Sequence, residues 1–220
     1  GAKVIYFPTP QPLIEKNIPA YIKNTFDPNA IGTCISNSTK SKNENTVKGI
    51  SHIENISLIN FEGSGMVGVP GFSKRFFGAL SQKGVNVIMI TQASSEFSIC
   101  IAINESDAKT AKDLIDKEFE YEISQNKINE SQIENSLSNI AIVGDNMKSK
   151  KGVSGKLFST LGNNNINIRA IAQGASERNI SIIIDEKDNI KALNSLHEAF
   201  FENNCKNVHL FITGVGNVGS

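Results

Sequence analysis

NISLINFEGSGMVGVPGFSKRFFGALSQKGVNVIMITQASSEFSICIAINESD, residues 55–107, reads against NIAIVGDNMKSKKGVSGKLFSTLGNNNINIRAIAQGASERNISIIIDEKD, residues 139–188, as one unit written twice. Asn55 set on Asn139 gives an offset of 84, while Phe77 on Phe158 and Gln92 on Gln173 give 81. The three-residue difference falls in the first loop, where changes of length are tolerated.

Each copy switches its apolar period in the same order. Ile56 and Leu58 suggest a strand, and Phe72, Phe76, Phe77 and Leu80 form one face of a helix. Val85, Val87 and Met89 return to period two, and Phe97, Ile99, Ile101 and Ile103 make the clearest alternating strand. Ala108, Ala111, Leu114, Ile115 and Phe119 then mark a second helix. In the second copy Ile140 and Ile142, the Val153 to Leu161 face, Ile166 and Ile168, Ile180 to Ile184, and Ile190 to Phe200 repeat the series.

Strand, helix, strand, strand, helix is the order of a ferredoxin-like sandwich, so the fold class is α+β: antiparallel sheets covered on one face by helices. The fourth strand is poorly marked. Tyr121 and Ile123 can supply it in the first copy, nothing clear follows Phe201 in the second, and VKGISHI, residues 47–53, is a strand without an obvious place. The expectation is that this strand fills the vacancy out of chain order. A unit of about 75 residues buries a modest share of its surface, which favours pairing of the two sheets.

Outward from the repeats, SNSTKSKNEN, residues 36–45, has no apolar side chain and reads as a linker, and residues 124–138 form a second polar separator. Basic and acidic residues balance at 22 each, leaving no positive field for nucleic acid. No apolar run approaches the roughly 20 residues that span a bilayer, so no membrane partner is expected and the location expected is cytoplasm or plastid stroma. Cys34, Cys100 and Cys205 are odd in number and far apart, the pattern of buried reduced thiols rather than a disulfide or zinc framework.

Tandem copies of this order, each with a polar loop after its first strand, resemble the ACT domains of aspartokinases, which bind amino acids allosterically. GAKVIYFPTPQPLIEKNIPAYIKNTFDPNAIGTCIS, residues 1–36, is similar to the end of an aspartokinase catalytic domain through GAKV, NIP, NTF and GT, although Phe7 stands where that family commonly has histidine. GVGNVG, residues 214–219, follows the strand-like NVHLFIT and resembles the opening of a homoserine dehydrogenase. Its Gly214, Gly216 and Gly219 have the spacing that admits a dinucleotide pyrophosphate. The whole chain thus resembles the middle of the fused aspartokinase/homoserine dehydrogenase family. The expected organisation is a kinase end at 1–36, a linker at 37–46, ACT units at 47–137 and 138–206, and a dehydrogenase opening at 207–220. The resemblance implies a parent enzyme that phosphorylates L-aspartate with MgATP and reduces aspartate semialdehyde with NAD(P)H, this portion needing no cofactor and assembling as a homodimer or larger oligomer.

An amino-acid effector needs acceptors, donors and a shape filter. EGSGMVGVPG, residues 62–71, can aim peptide N–H groups at a carboxylate, which singles out Met66, Gly68 and Gly71. The second loop is more cationic and less glycine-rich. Gln92 and Gln173 follow the second strand in both copies, and an amide both donates and accepts. By resemblance these are threonine-responsive positions. Lysine is the competing effector, but the strand that in lysine-sensing members carries an aspartate has here only Asn86 and Ile88, so threonine is favoured. Glu96 and Glu177 also repeat, as a surface pair. Lys3 matches a nucleotide-contacting lysine of the kinase family.

Catalytic constellations are absent from the sequence. His52, His197 and His209 are scattered, and no metal-ligand spacing occurs. Two other readings remain: a free-standing, non-enzymatic ACT sensor, and an ordinary dehydrogenase with an N-terminal sensor. Both leave the kinase-like head without a role.

Overall fold

The computed structural model describes residues 5–6, 8–36, 46–66, 70–92, 98–145, 147, 150–173 and 179–202. Lys3, Gly68, Gly214, Gly216 and Gly219 lie outside them, as do Glu96, Glu177, Cys205 and His209.

The head is a short helix, α1 (Gln11–Glu15), followed by a hairpin of β1 (Ala20–Ile22) and β2 (Thr33–Ile35). Beyond it come β3 (Val47–Glu62), α2 (Phe72–Ser81), β4 (Val87–Gln92), β5 (Ser98–Asn104), α3 (Ala108–Glu118) and α4 (Glu120–Ser124). The series continues with β6 (Gln132–Gly144), α5 (Val153–Asn163), β7 (Ile168–Gln173), β8 (Asn179–Asp185) and α6 (Asn189–Phe201). Six strands make one antiparallel sheet in the order β4-β5-β3-β6-β8-β7.

The two central strands are long because each serves both halves. Residues 56–62 of β3 pair with β5 on one side and with residues 132–137 of β6 on the other, whereas residues 47–53 pair with residues 139–144. Val47 and Ile50 pack in the core of the second half. The strand without a place therefore completes that half out of chain order, as expected. The first half is completed by residues 132–137, not by Tyr121 and Ile123, which lie in α4. The segment read as a separator thus contains a strand. Its polar appearance arises because Gln132, Glu134, Asn135 and Ser136 are exposed and, of its apolar residues, Ile128 and Leu137 are buried while Ile133 is half-buried.

The offset between halves is 81 throughout, which corrects the value of 84 for the first strand. Residues with positive φ recur at that spacing: Asn55 (56°) and Ser136 (59°), Gly71 (84°) and Gly152 (90°), Gly84 (67°) and Asn165 (54°). Ile59 and Phe61, not Ile56 and Leu58, are the counterparts of Ile140 and Ile142, since these four face the helices.

Among the described residues three apolar clusters hold the structure. Phe61, Phe72 and Phe119 stack within 4.6–5.9 Å under α2 and α3, pairs worth about 0.5–1.5 kcal/mol beyond area burial. Arg75 lies 4.4 Å over Phe119 and bonds Glu118 and Glu122 at 2.9 and 2.5 Å. Leu157, Leu161, Ile182 and Leu196 form the second cluster. The third joins the helix-free faces: Ile56, Leu58, Met89, Ala102, Leu137, Ala170 and Ile183. The sheet curls so that β4 and β7, its two edges, meet, and the faces left open by the helices cover one another.

Candidate functional site

Each half presents a glycine-started helix at one end of its sheet. Gly71 and Gly152 are the N-caps of α2 and α5, both left-handed, and neither cap offers a side chain to the first turn. A residue with a Cβ is strained there, and the uncapped N–H groups form a donor cradle at the positive end of the helix dipole. Met66 is not part of this surface. Its side chain is buried in the first core and its N–H bonds Gly63 O at 3.2 Å.

Gln92 and Gln173 end the edge strands and are exposed. Cross-strand partners share a face, so Gln92 opposite Ile99, and Ile90 opposite Ile101, lie on the helix side of the first half. Gln173 opposite Ile180, and Ile171 opposite Ile182, repeat this in the second. Ile90 and Ile171 are 51% and 44% exposed, so each glutamine adjoins an uncovered isoleucine on an unpaired strand edge. Glu62 and Gln92 pair with Ser98 and Ile99, which puts Gln92 at the end of the sheet from which the chain leads to Gly71. Asn86 precedes β4 at the opposite end, six residues or about 20 Å from Gln92.

The two glutamines do not share a crevice within the chain. The central ladder runs from Asn60 opposite Gln132 to Val47 opposite Gly144, and the halves present their glycine turns at its opposite ends. They form two separate, equivalent positions.

A third location was not anticipated. Between the helix-free face of the first half and β7 lies a crevice of about 620 Å³, lined among others by Asn60, Thr91, Cys100, Glu134, Arg169 and Ala170. Arg169 lies 3.2 Å from Glu134 and donates to Asp185 at 3.1 Å. Burial, with the charge of Glu134, pushes the Cys100 thiol up to about 11, so it is protonated and inert at neutral pH. Cys34, by contrast, is exposed on the head hairpin, which corrects the expectation that all three thiols are buried. The sequence signal for the crevice was a mismatch between copies, IMITQ against RAIAQ, where Arg169 and Ala170 answer Ile88 and Met89. Among the described residues no cluster of metal-ligating side chains occurs, and no helix is long and apolar enough to cross a membrane.

The profile of the ACT domain matches residues 59–119 and 140–200, again 81 apart. The chain is 43% identical over 219 residues to a bifunctional aspartokinase/homoserine dehydrogenase of Haemophilus influenzae, covering all of this chain and 27% of that protein. To the chloroplastic enzyme of the same name from Daucus carota it is 38% identical over 226 residues, covering all of this chain and 24% of that protein. The chain thus spans about a quarter of the length of these curated relatives. Among solved structures, Clostridium acetobutylicum aspartate kinase superposes with a TM-score of 0.78 at 29% identity, over 90% of this chain and 45% of that one. Escherichia coli aspartokinase III in complex with lysine and aspartate superposes at 0.66 with 26% identity, over 87% and 41%. With both halves matched and the similarity running from end to end, the chain belongs to the ACT-domain family, as a tandem regulatory pair of the kind that bifunctional aspartokinase/homoserine dehydrogenases carry.

Proposed function

We propose that this chain is the amino-acid-sensing region of an enzyme that phosphorylates L-aspartate with MgATP and reduces aspartate semialdehyde to homoserine with NAD(P)H. Its first 36 residues would then be the end of the kinase domain, and residues 207–220 the opening of the NAD(P)-binding domain. The observation that carries the reading is the repeated edge: Gln92 with Ile90 and Gln173 with Ile171, each at the sheet end where an uncapped helix begins.

A bound amino acid presents its carboxylate to the helix N–H groups of such a turn, and a carboxamide can meet both ammonium and side-chain hydroxyl. Threonine is the proposed effector. β4 has the sequence VIMITQ and β7 IRAIAQ, neither with a carboxylate for a second ammonium. The lysine bound by the E. coli neighbour favours the other reading, but a lysine here would bury its ε-ammonium without a partner on the strand, which is costly. Because the two positions lie apart in one chain and each borders an unpaired edge, pairing with a second copy would close them, so the proposed state is a homodimer.

Coupling between effector and catalytic sites of this kind is typically about 1–3 kcal/mol and reciprocal. Calorimetric titration with threonine, lysine, methionine and leucine tests the assignment: threonine should bind at least tenfold more tightly than the others, and preference for lysine would overturn it.

A further inference from the structure

On the helix-free faces the 81-residue repeat sets unlike residues against each other at Met89 and Ala170, Leu58 and Asn139, and Ala102 and Ile183. Over the second half the crevice position is filled by Met89, packed with Leu58, Leu137 and Ile183 in the third cluster. Over the first half the counterpart of Met89 is Ala170, so the space left by the missing thioether chain stays open. Three neighbouring positions are polar here where the other half is apolar. Arg169 answers Ile88, Glu134 answers Ile53, and Thr91 answers Ala172. Positions that carry Ile88, Ile53 and Ala172 in one half thus carry charges or a hydroxyl in the other.

The charges in this concavity are arranged with spare valence. Arg169 uses Nε and Nη2 on Asp185 Oδ1, and its Nε faces Glu134 Oε1. No described residue bonds Arg169 Nη1 or Glu134 Oε2. The two side chains are 37% and 46% exposed, so they stand at the mouth of the crevice, with the Thr91 hydroxyl and the Asn60 amide also lining it. A guanidinium is a directional carboxylate donor, and a free carboxylate oxygen a few ångströms away accepts an ammonium. Asn60 is held by a 3.2 Å bond from its Nδ2 to Glu62, which leaves its carbonyl oxygen to accept. The volume of about 620 Å³ is that of a small-molecule site.

We infer that this crevice is a second ligand site, contained in one chain, for a zwitterionic α-amino acid with a short polar side chain. The carboxylate lies on Arg169, the ammonium on Glu134, and the side-chain hydroxyl on Thr91 and Asn60. Occupancy ties β7 to the floor formed by β3 and β5, so it stiffens the junction of the halves. The site is distinct from the glutamine edges: Asn60, Thr91 and Glu134, which would meet the ligand, lie on the helix-free face, whereas Gln92 and Gln173 lie on the helix side, with Ile171 bordering both.

The test uses L-threonine and L-serine on a Gln92→Ala/Gln173→Ala variant, which removes the edge positions and isolates the crevice. One equivalent per chain should still bind, with a rise in melting temperature. Ala170→Met, which restores the residue of the other half, should weaken that binding at least tenfold while the protein stays folded by circular dichroism. Arg169→Met should do the same, and L-serinamide and N-acetyl-L-serine, each lacking one charge, should fail to bind. Absence of binding by the folded double variant, or binding undiminished by Ala170→Met, overturns the inference. If Ala170→Met abolishes one class of sites but the glutamine substitutions change nothing, the crevice stands and the edge assignment is what fails.

Discussion

Asn55 and Ser136, 81 residues apart, both hold a positive φ, 56° and 59°, each as the second residue of a two-against-one bulge in the central ladder. Ser57 lies opposite one bulge and Ser138 opposite the other, and Ser57 Oγ meets Asn135 Oδ1 at 2.7 Å. The bulges bend the long strands where they pass from one half to the other, as extra residues in a ladder do. Asparagine tolerates the left-handed region better than serine, and a β-branched residue tolerates it worst. Ser136→Gly should therefore stabilise by about 0.5–1 kcal/mol, and Asn55→Val should cost about 1–2 kcal/mol, both read from urea midpoints at constant m-value.

Gly63 is a close-approach glycine. A Cβ there would lie 2.5 Å from Ile128 Cα, against backbone that cannot yield, and its counterpart Gly144 would meet the Thr46 carbonyl. Gly63→Ala should cost about 1–3 kcal/mol as overpacking does. Gly78, inside α2 with nothing near its missing Cβ, should respond oppositely: Gly78→Ala should stabilise by about 0.5–1 kcal/mol. Chemical denaturation of both variants checks the contrast.

Acid sensitivity should concentrate at Arg75. Its hydrogen bond holds the Glu122 carboxyl below the ordinary 4.5. A depressed carboxylate contributes stability that is present above its unfolded value and is lost as pH falls through the folded one. Stability should therefore fall on acidification below about 4.5, and Glu122→Gln should flatten that limb while lowering stability at neutral pH. Thermal melts between pH 3 and 7 give the answer; an unchanged acid limb in the variant would show that other carboxylates dominate.

Gln92→Ala and Gln173→Ala should desensitise the protein to threonine, each by tenfold or more in apparent affinity, with melting temperatures within a degree or two, because exposed amides contribute little to stability. Full effector response in both variants would be the falsifying outcome.

Much of this architecture was legible in the sequence, because period-two and period-3.6 patterns recur with the same punctuation. The helices α2, α3, α5 and α6, the strands β5 and β8, and the displaced strand at residues 47–53 could be read from apolar spacing. The phase of β3 could not. Ile56 and Leu58 face the curled interior and Ile59 and Phe61 face the helices, so both faces are apolar and periodicity cannot say which one matches Ile140. Residues 132–137 could not be read for the opposite reason: Gln132 and Glu134 line a polar crevice and Asn135 and Ser136 are exposed, so the strand lacks apolar alternation. At the candidate sites, the glutamine pair was visible from repetition. The crevice depends on where the sheet curls, which no local pattern encodes.

The out-of-order strand sets the sequence of events as the polypeptide leaves the ribosome. The first half is contiguous and can close once residue 137 has emerged, but His52 must wait for Ile140, 88 residues later. Until then residues 47–53 form a vacant edge, with Val47 and Ile50 uncovered, attached to an otherwise finished unit. Cleavage between the halves would leave one piece with a spare strand and the other with an empty groove of matching register. Two such molecules satisfy each other by trading that strand, which makes interchain exchange the natural failure of this fold.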